Sequence, residues 1–196
     1  MDEMVKHVTE VFPYIKKIHF ESIYPLVEFE PNLFDIDLFY NQFIDNFMKA
    51  RAIGDSCGIE ITTAVTNTLG KIKPRYCRGE LCVTPIGDIV ICHRSSSEKD
   101  ARYQKFKYGF FTDGGISIDN AKFQKINELL NTKGTQCEEC FSKWHCSGMC
   151  LSNREMYTTI QYQAYCAYVK KLQARYIEYM ILKGGVKNES DRSICE

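Results

Sequence analysis

No run of about 18 apolar residues occurs anywhere in the chain, so no membrane-spanning helix is expected. The first residues, MDEMVKHVTEVFPYIKK, scatter charges through their apolar positions and lack the apolar core of a signal peptide. A cytoplasmic protein with no membrane partner is expected. An excess of either charge sign is also missing: Lys plus Arg and Asp plus Glu both total 25. Phosphate binding needs a clustered basic excess, so no nucleic-acid partner is expected. Low-complexity tracts and internal repeats are absent. So are a Gly-rich phosphate loop, a zinc-protease helix and a nucleophile elbow.

What remains is globular in composition, with 44% hydrophobic, 13% aromatic and 26% charged residues, enough apolar content to bury a core. The 196 residues suit one ordinary domain, or a small domain joined to part of another. Ten cysteines are present. In a reducing compartment that number argues for metal ligation over disulfides.

Local signals mark the elements. Residues 2 to 12 read as a short helix, and Ile15 to Ile23 as a buried strand. An irregular segment follows through Pro25 and Pro31. Leu38, Phe39, Phe43, Phe47 and Met48 recur at helical spacing between Asp35 and about Ala52, with Asp35 or Asp37 as N-cap and Gly54 and Gly58 as terminators. Ile59 to Val65 reads as a second strand, completing a strand-helix-strand unit of the kind found in parallel sheets and barrels.

The segment Cys77 to Cys92 reads as a hairpin turning at Gly87-Asp88, with LCVTP and IVICH as its strands. Asp119 is expected to cap a helix through Leu130, and Gly134 follows its end. Four cysteines then fall between Cys137 and Cys150. A long helix is expected from about Arg154 to Leu182, and Gly184-Gly185 opens a polar tail.

The cysteines form two blocks, Cys77-x4-Cys82-x4-Gly87-x4-Cys92 and Cys137-x2-Cys140-x5-Cys146-x3-Cys150, with Cys166 following after a gap of fifteen residues. Together they supply eight thiols, which suit two four-sulfur sites. Cys57 and Cys195 lie outside the blocks and read as small buried hydrophobes or spectator thiols. Four-cysteine zinc sites and four-cysteine iron-sulfur sites share ligands and overlap in spacing, so both metals stay open at this point.

The pattern C-x9-G-x4-C, realised as Cys77, Gly87 and Cys92, followed by C-x2-C-x5-C-x3-C and a final cysteine, resembles the SPASM domain over about residues 75 to 182. That name abbreviates subtilosin, PQQ, anaerobic sulfatase and mycofactocin maturation. The resemblance implies two interleaved 4Fe-4S clusters, the first on Cys77, Cys82, Cys92 and Cys150 and the second on Cys137, Cys140, Cys146 and Cys166. The last gap is slightly shorter than the family's usual one, and a shortfall of two residues on a helix turns a side chain by about 200 degrees. Full ligation implies electron transfer or structural support, since no iron is left open to substrate. Two oxidised clusters with their thiolates would add a charge of roughly -4, making the loaded protein acidic.

Upstream, KKIHFESIYP, a helix and GIEITTAV resemble the last part of a radical-SAM partial barrel. Such enzymes present C-x3-C-x2-C to the catalytic cluster. Here the C-x3-C from Cys146 to Cys150 is followed by Asn153 where the third cysteine would fall. The chain is therefore not expected to cleave S-adenosylmethionine alone. The resemblance implies that this cofactor and the catalytic core lie in a longer parent or a separate subunit, or are lost, and that a ribosomal peptide or protein is the substrate.

The expected architecture is α+β: a radical-SAM partial-barrel remnant at 1–70, a SPASM-type domain at 71–183 with its Cys-bearing hairpin, loop-rich Cys region and C-terminal helix, and a flexible tail at 184–196. The rival reading is a zinc-stabilised interaction module. A disulfide-rich secreted domain ranks last, because no signal sequence is seen.

Other residues near the cysteines carry plainer roles beside the functional ones. His93 and His145 flank ligand cysteines, where a hydrogen bond to cluster sulfur competes with a surface or second-shell placement. Trp144 offers shielding or ordinary packing, and Glu138-Glu139 reads as a solvated pair. Arg75, Arg78, Arg94, Lys143 and Arg154 offer cluster-charge compensation, a grip on an acidic peptide, or plain surface charge. Tyr157, Tyr162, Tyr165, Tyr168, Tyr176 and Tyr179 read as an amphipathic packing face rather than a redox chain.

Overall fold

The computed structural model describes residues 1–23 and 35–185. The expected irregular segment at Pro25 and Pro31, most of the expected tail, and Cys195 lie outside the described residues. The architecture is mixed α+β, and no helix among the described residues is long and apolar enough to cross a membrane. The chain forms two compact units, one made of Met1–Lys71 with the segment from Thr158 onward, the other of Ile72–Tyr157.

In the first unit, α1 (Asp2–Val11) buries Val5 and packs on α2 (Ile36–Ser56). Asp35 caps α2 by accepting from the Leu38 amide at 2.8 Å. Tyr40, Phe43, Ile44, Phe47 and Ala50 are buried at three- and four-residue spacing, whereas Leu38 faces out. The helix continues through Gly54, the expected terminator, to Ser56. A Cβ at Gly54 would stand 2.4 Å from Ile61 Cγ1 and 2.7 Å from the Ile59 carbonyl, so glycine here serves close packing instead of chain reversal.

Strands β1 (Lys17–His19) and β2 (Glu60–Thr62) pair in parallel, with Ile18 opposite Ile61. Both are shorter than expected. Thr63 ends β2 by opening α3 (Ala64–Asn67), because Thr63 and Thr66 exchange side-chain-to-backbone hydrogen bonds of 3.0 Å.

In the second unit, β3 (Cys82–Val83), β4 (Asp88–Val90), β5 (Lys107–Thr112) and β6 (Gly115–Ile118) form an antiparallel meander. The β3-β4 turn has Gly87 at φ 86, with its amide donating to the Thr84 carbonyl at 2.9 Å. The short helix α4 (Tyr103–Phe106) leads into β5, and α5 (Asn120–Asn131) starts at the expected cap, Asp119, which accepts from the Lys122 amide. Ile89, Ile91, Phe106, Tyr108, Ile126, Leu130 and Leu151 make one apolar core beneath the sheet.

The single helix expected from Arg154 is two. Helix α6 (Leu151–Arg154) closes the second unit and α7 (Thr159–Gly185) belongs to the first. Thr158 and Gln161 exchange capping bonds of 2.9 and 3.3 Å, which start a new helix where continuation was expected. Tyr165 and Tyr168 of α7 pack on α2, with Tyr168 stacked on Tyr40 at a 4.4 Å centroid distance. Tyr176 lies under the Arg51 guanidinium.

Candidate metal centre

Seven of the eight block cysteines lie in the second unit, and Cys166 lies on α7 in the first. All eight are free thiols, whereas Cys57, expected as a buried hydrophobe or spectator, is disulfide-bonded.

The first block is shaped by the meander. Cys82 begins β3 opposite Val90, and Cys92 follows β4 and precedes a 3-10 turn at His93–Ser95. Glu80 donates its amide to the Ile91 carbonyl at 2.9 Å, extending the pairing toward Cys77. Gly79, at φ 83, lets the chain press on Ile91: a Cβ there would come within 2.7 Å of Ile91 Cδ1. The same turn aims the Gly79 amide at Cys77 Sγ, 3.2 Å away.

Burial, together with the Glu80 carboxylate, pushes the Cys82 thiol up to about 11, and Cys92 and Cys77 lie close enough to add to it. Burial also raises Cys92, which feels Cys150, while the Arg94 amide and the Ser152 hydroxyl donate to its sulfur and oppose the rise. Cys82 thus feels the charge of Cys77 and Cys92, and Cys92 that of Cys150.

The second block is a knuckle. A 3-10 turn at Thr135–Cys137 buries Cys137, and the Cys140 amide returns to the Cys137 carbonyl at 3.3 Å. Beyond Cys146, Ser147, Gly148 and Met149 adopt φ values of 55, 81 and 72. Two non-glycine residues in the left-handed region are costly and occur where a site needs them. Their effect is to turn the Gly148 and Met149 amides onto Cys146 Sγ, which burial otherwise raises and which also feels Cys137 and Cys140. Ser147 Oγ anchors the knuckle by donating to the Lys73 carbonyl at 2.9 Å.

The arrangement suits thiolate ligation. Amide and hydroxyl donors to sulfur stabilise thiolate charge, and burial favours the protonated form of Cys82, Cys92 and Cys146 until a cation takes the proton's place. Among the described residues, no group of three or more His, Cys, Asp or Glu side chains is drawn together as a metal site. The residues fit a sulfur-bound metal group in the chemistry of their donors.

The other candidates resolve into local roles. His93 is largely exposed and bonds Glu80 through Nδ1 at 2.8 Å, and Cys82 donates to the same carboxylate at 3.4 Å. The Trp144 ring is half exposed beside Lys133 and Lys143. His145 donates its amide to the Ser142 carbonyl at 3.0 Å, and Glu138, Glu139 and Arg78 face solvent. Arg75 reaches Asn127, and Lys143 the Glu138 carbonyl. Arg154 donates to the Leu129 and Thr132 carbonyls at the end of α5. Arg94 donates to Asn153.

Two residues beside the cysteines carry no signal in the sequence pattern. Glu80 holds Cys82 and His93 together. Arg102, 8% exposed, lies near Cys92 and Cys150, whose thiolates strengthen its hold on its proton after Asp100 has done so. Neither stands at a recognisable spacing from a cysteine block. No family model, curated protein or solved structure matches the chain.

Proposed function

We propose that the chain holds two 4Fe-4S clusters, the first on Cys77, Cys82, Cys92 and Cys150 and the second on Cys137, Cys140, Cys146 and Cys166. It would serve as the C-terminal, SPASM-type part of a radical-SAM maturase acting on a ribosomal peptide or protein. The observation that best supports this reading is that Arg102 joins the Arg94 carbonyl, two residues past Cys92, to the Ser152 carbonyl, two residues past Cys150, so the turns that carry these two cysteines of different blocks are held together. Two independent zinc knuckles, one per block, would pair Cys150 with Cys146 instead. The interleaving is what the SPASM resemblance implies.

When bound, the clusters supply one-electron transfer. The chain's own residues donate hydrogen bonds to Cys77, Cys92 and Cys146, bury Cys137 and leave the other seven thiols half-buried. Those donors favour the more negative thiolate state and stabilise whatever metal group the thiolates carry. Chemistry on S-adenosylmethionine is assigned to a radical-SAM core in a longer parent or a separate subunit.

Anaerobic purification followed by iron, sulfide and zinc analysis and Mössbauer spectroscopy tests the proposal. About eight irons and eight sulfides per chain are expected, falling by about half in Cys140→Ala. Stoichiometric zinc with negligible sulfide, persisting after anaerobic reconstitution, would overturn it in favour of the structural zinc module.

A further inference from the structure

We infer that Arg102 is the positioning residue that seats Cys92 and Cys150 in one site, by fastening together the two turns that carry them. This rests on the two-site reading above.

Arginine is rarely buried without partners, and Arg102 uses every N–H of its guanidinium. Nε donates to Asp100 Oδ1 at 2.8 Å, and Nη2 donates to Asp100 Oδ2, forming a two-pronged ion pair that balances the buried charge. Nη2 also donates to the Arg94 carbonyl at 3.1 Å. Nη1 donates to the Ser152 carbonyl at 3.1 Å and to the Ser152 hydroxyl. One rigid plane thus joins the turn after Cys92 to the helix that begins at Cys150.

The two anchor points are informative. Arg94 lies two residues past Cys92, and Ser152 two residues past Cys150. The Ser152 hydroxyl accepts from Arg102 and donates to Cys92, so a residue of the second block contacts a sulfur of the first. A second bond between the same segments runs from Arg94 to Asn153, which is 1% exposed. Lysine would supply the charge without the planar fork, so the geometry requires arginine.

The inference is tested with the full chain, reconstituted anaerobically with iron and sulfide, as wild type, Arg102→Gln, Arg102→Lys and Asp100→Asn. Iron and sulfide are counted, midpoint potentials are measured by spectroelectrochemistry, and folding is followed by circular dichroism. In Arg102→Gln and Arg102→Lys, iron and sulfide should fall by about half, with the cluster lost by Cys140→Ala retained. In Asp100→Asn, the milder variant, one midpoint potential should move and the other stay. Full loading with unchanged potentials in all three variants overturns the clamp and leaves the two-cluster reading intact. A wild type that takes up no iron and sulfide overturns both.

Discussion

Tyr103 donates its phenolic hydrogen to the Asp88 carboxylate, and both side chains are buried beside the β3-β4 turn. Burial first, and then the carboxylate, pushes the Tyr103 phenol up to about 12. Burial works against the charge on Asp88, yet Lys107 at 2.6 Å and Tyr103 hold it below the usual carboxylate range. The neutral phenol is therefore the form that folding favours. Its contribution is complete below about pH 10, the ordinary tyrosine value, and is lost as pH rises toward about 12.

Tyr103→Phe should therefore flatten the loss of stability between about pH 10 and 12, and should cost about 1–3 kcal/mol at neutral pH by stripping a buried carboxylate of a donor. Denaturant unfolding of wild type and variant across that range checks both. Equal alkaline slopes would show that the Tyr103 phenol does not govern the loss.

Gly54→Ala should destabilise the first unit by about 1–3 kcal/mol, because the new methyl meets the Ile59 carbonyl 2.7 Å away, and backbone yields less readily than a side-chain end. Gly58→Ala offers a contrast: at φ 70 with open space around its Cβ, it pays a conformational penalty but meets no clash. Thermal unfolding of the two variants compares the two causes.

Asp55 accepts from Arg51, from Tyr179 at 2.9 Å and from Lys183 at 2.9 Å, tying α2 to α7. Asp55→Ala leaves the buried Arg51 guanidinium without its carboxylate, with the Ile61 carbonyl and the Tyr176 ring left against it, and should cost about 3–5 kcal/mol. Adding Arg51→Met should recover a large part of that loss, whereas strictly additive penalties in the double-mutant cycle would refute coupling through this pair.

Cys146 and Cys150 are four residues apart but are assigned to different sites. Cys150→Ser combined with Cys92→Ser should remove no more metal than either alone, while Cys150→Ser combined with Cys146→Ser should empty both sites. Metal content of the four chains decides between interleaved sites and sites that follow the blocks.

Several elements were legible because their causes are local. Asp119 reaches only to the Lys122 amide, and Asp35 only to Leu38, so each cap is written within four residues of chain. The Gly87 turn is equally local. Strands β5 and β6 escaped the reading although Thr112-Asp113-Gly114-Gly115 separates two β-rich runs, a usable hairpin signal. The break between α6 and α7 escaped because apolar periodicity runs past Thr158 and masks the capping exchange with Gln161.

The sequence by itself determined that seven thiols stand in two blocks with an eighth at Cys166, that α2 and α5 start after Asp35 and Asp119, and that acidic and basic residues balance at 25 each. Those properties depend on composition or on neighbours a few residues apart. Tertiary structure alone decided that Gly54 is a packing contact, that α7 joins the N-terminal unit, and that Arg102 ties Ser152 to Arg94 beside Cys92 and Cys150. The Arg102 contact to Ser152 spans 50 residues. Such a contact forms only when the packing of the whole unit offsets the entropy of closing the loop, and no short stretch of sequence contains that balance.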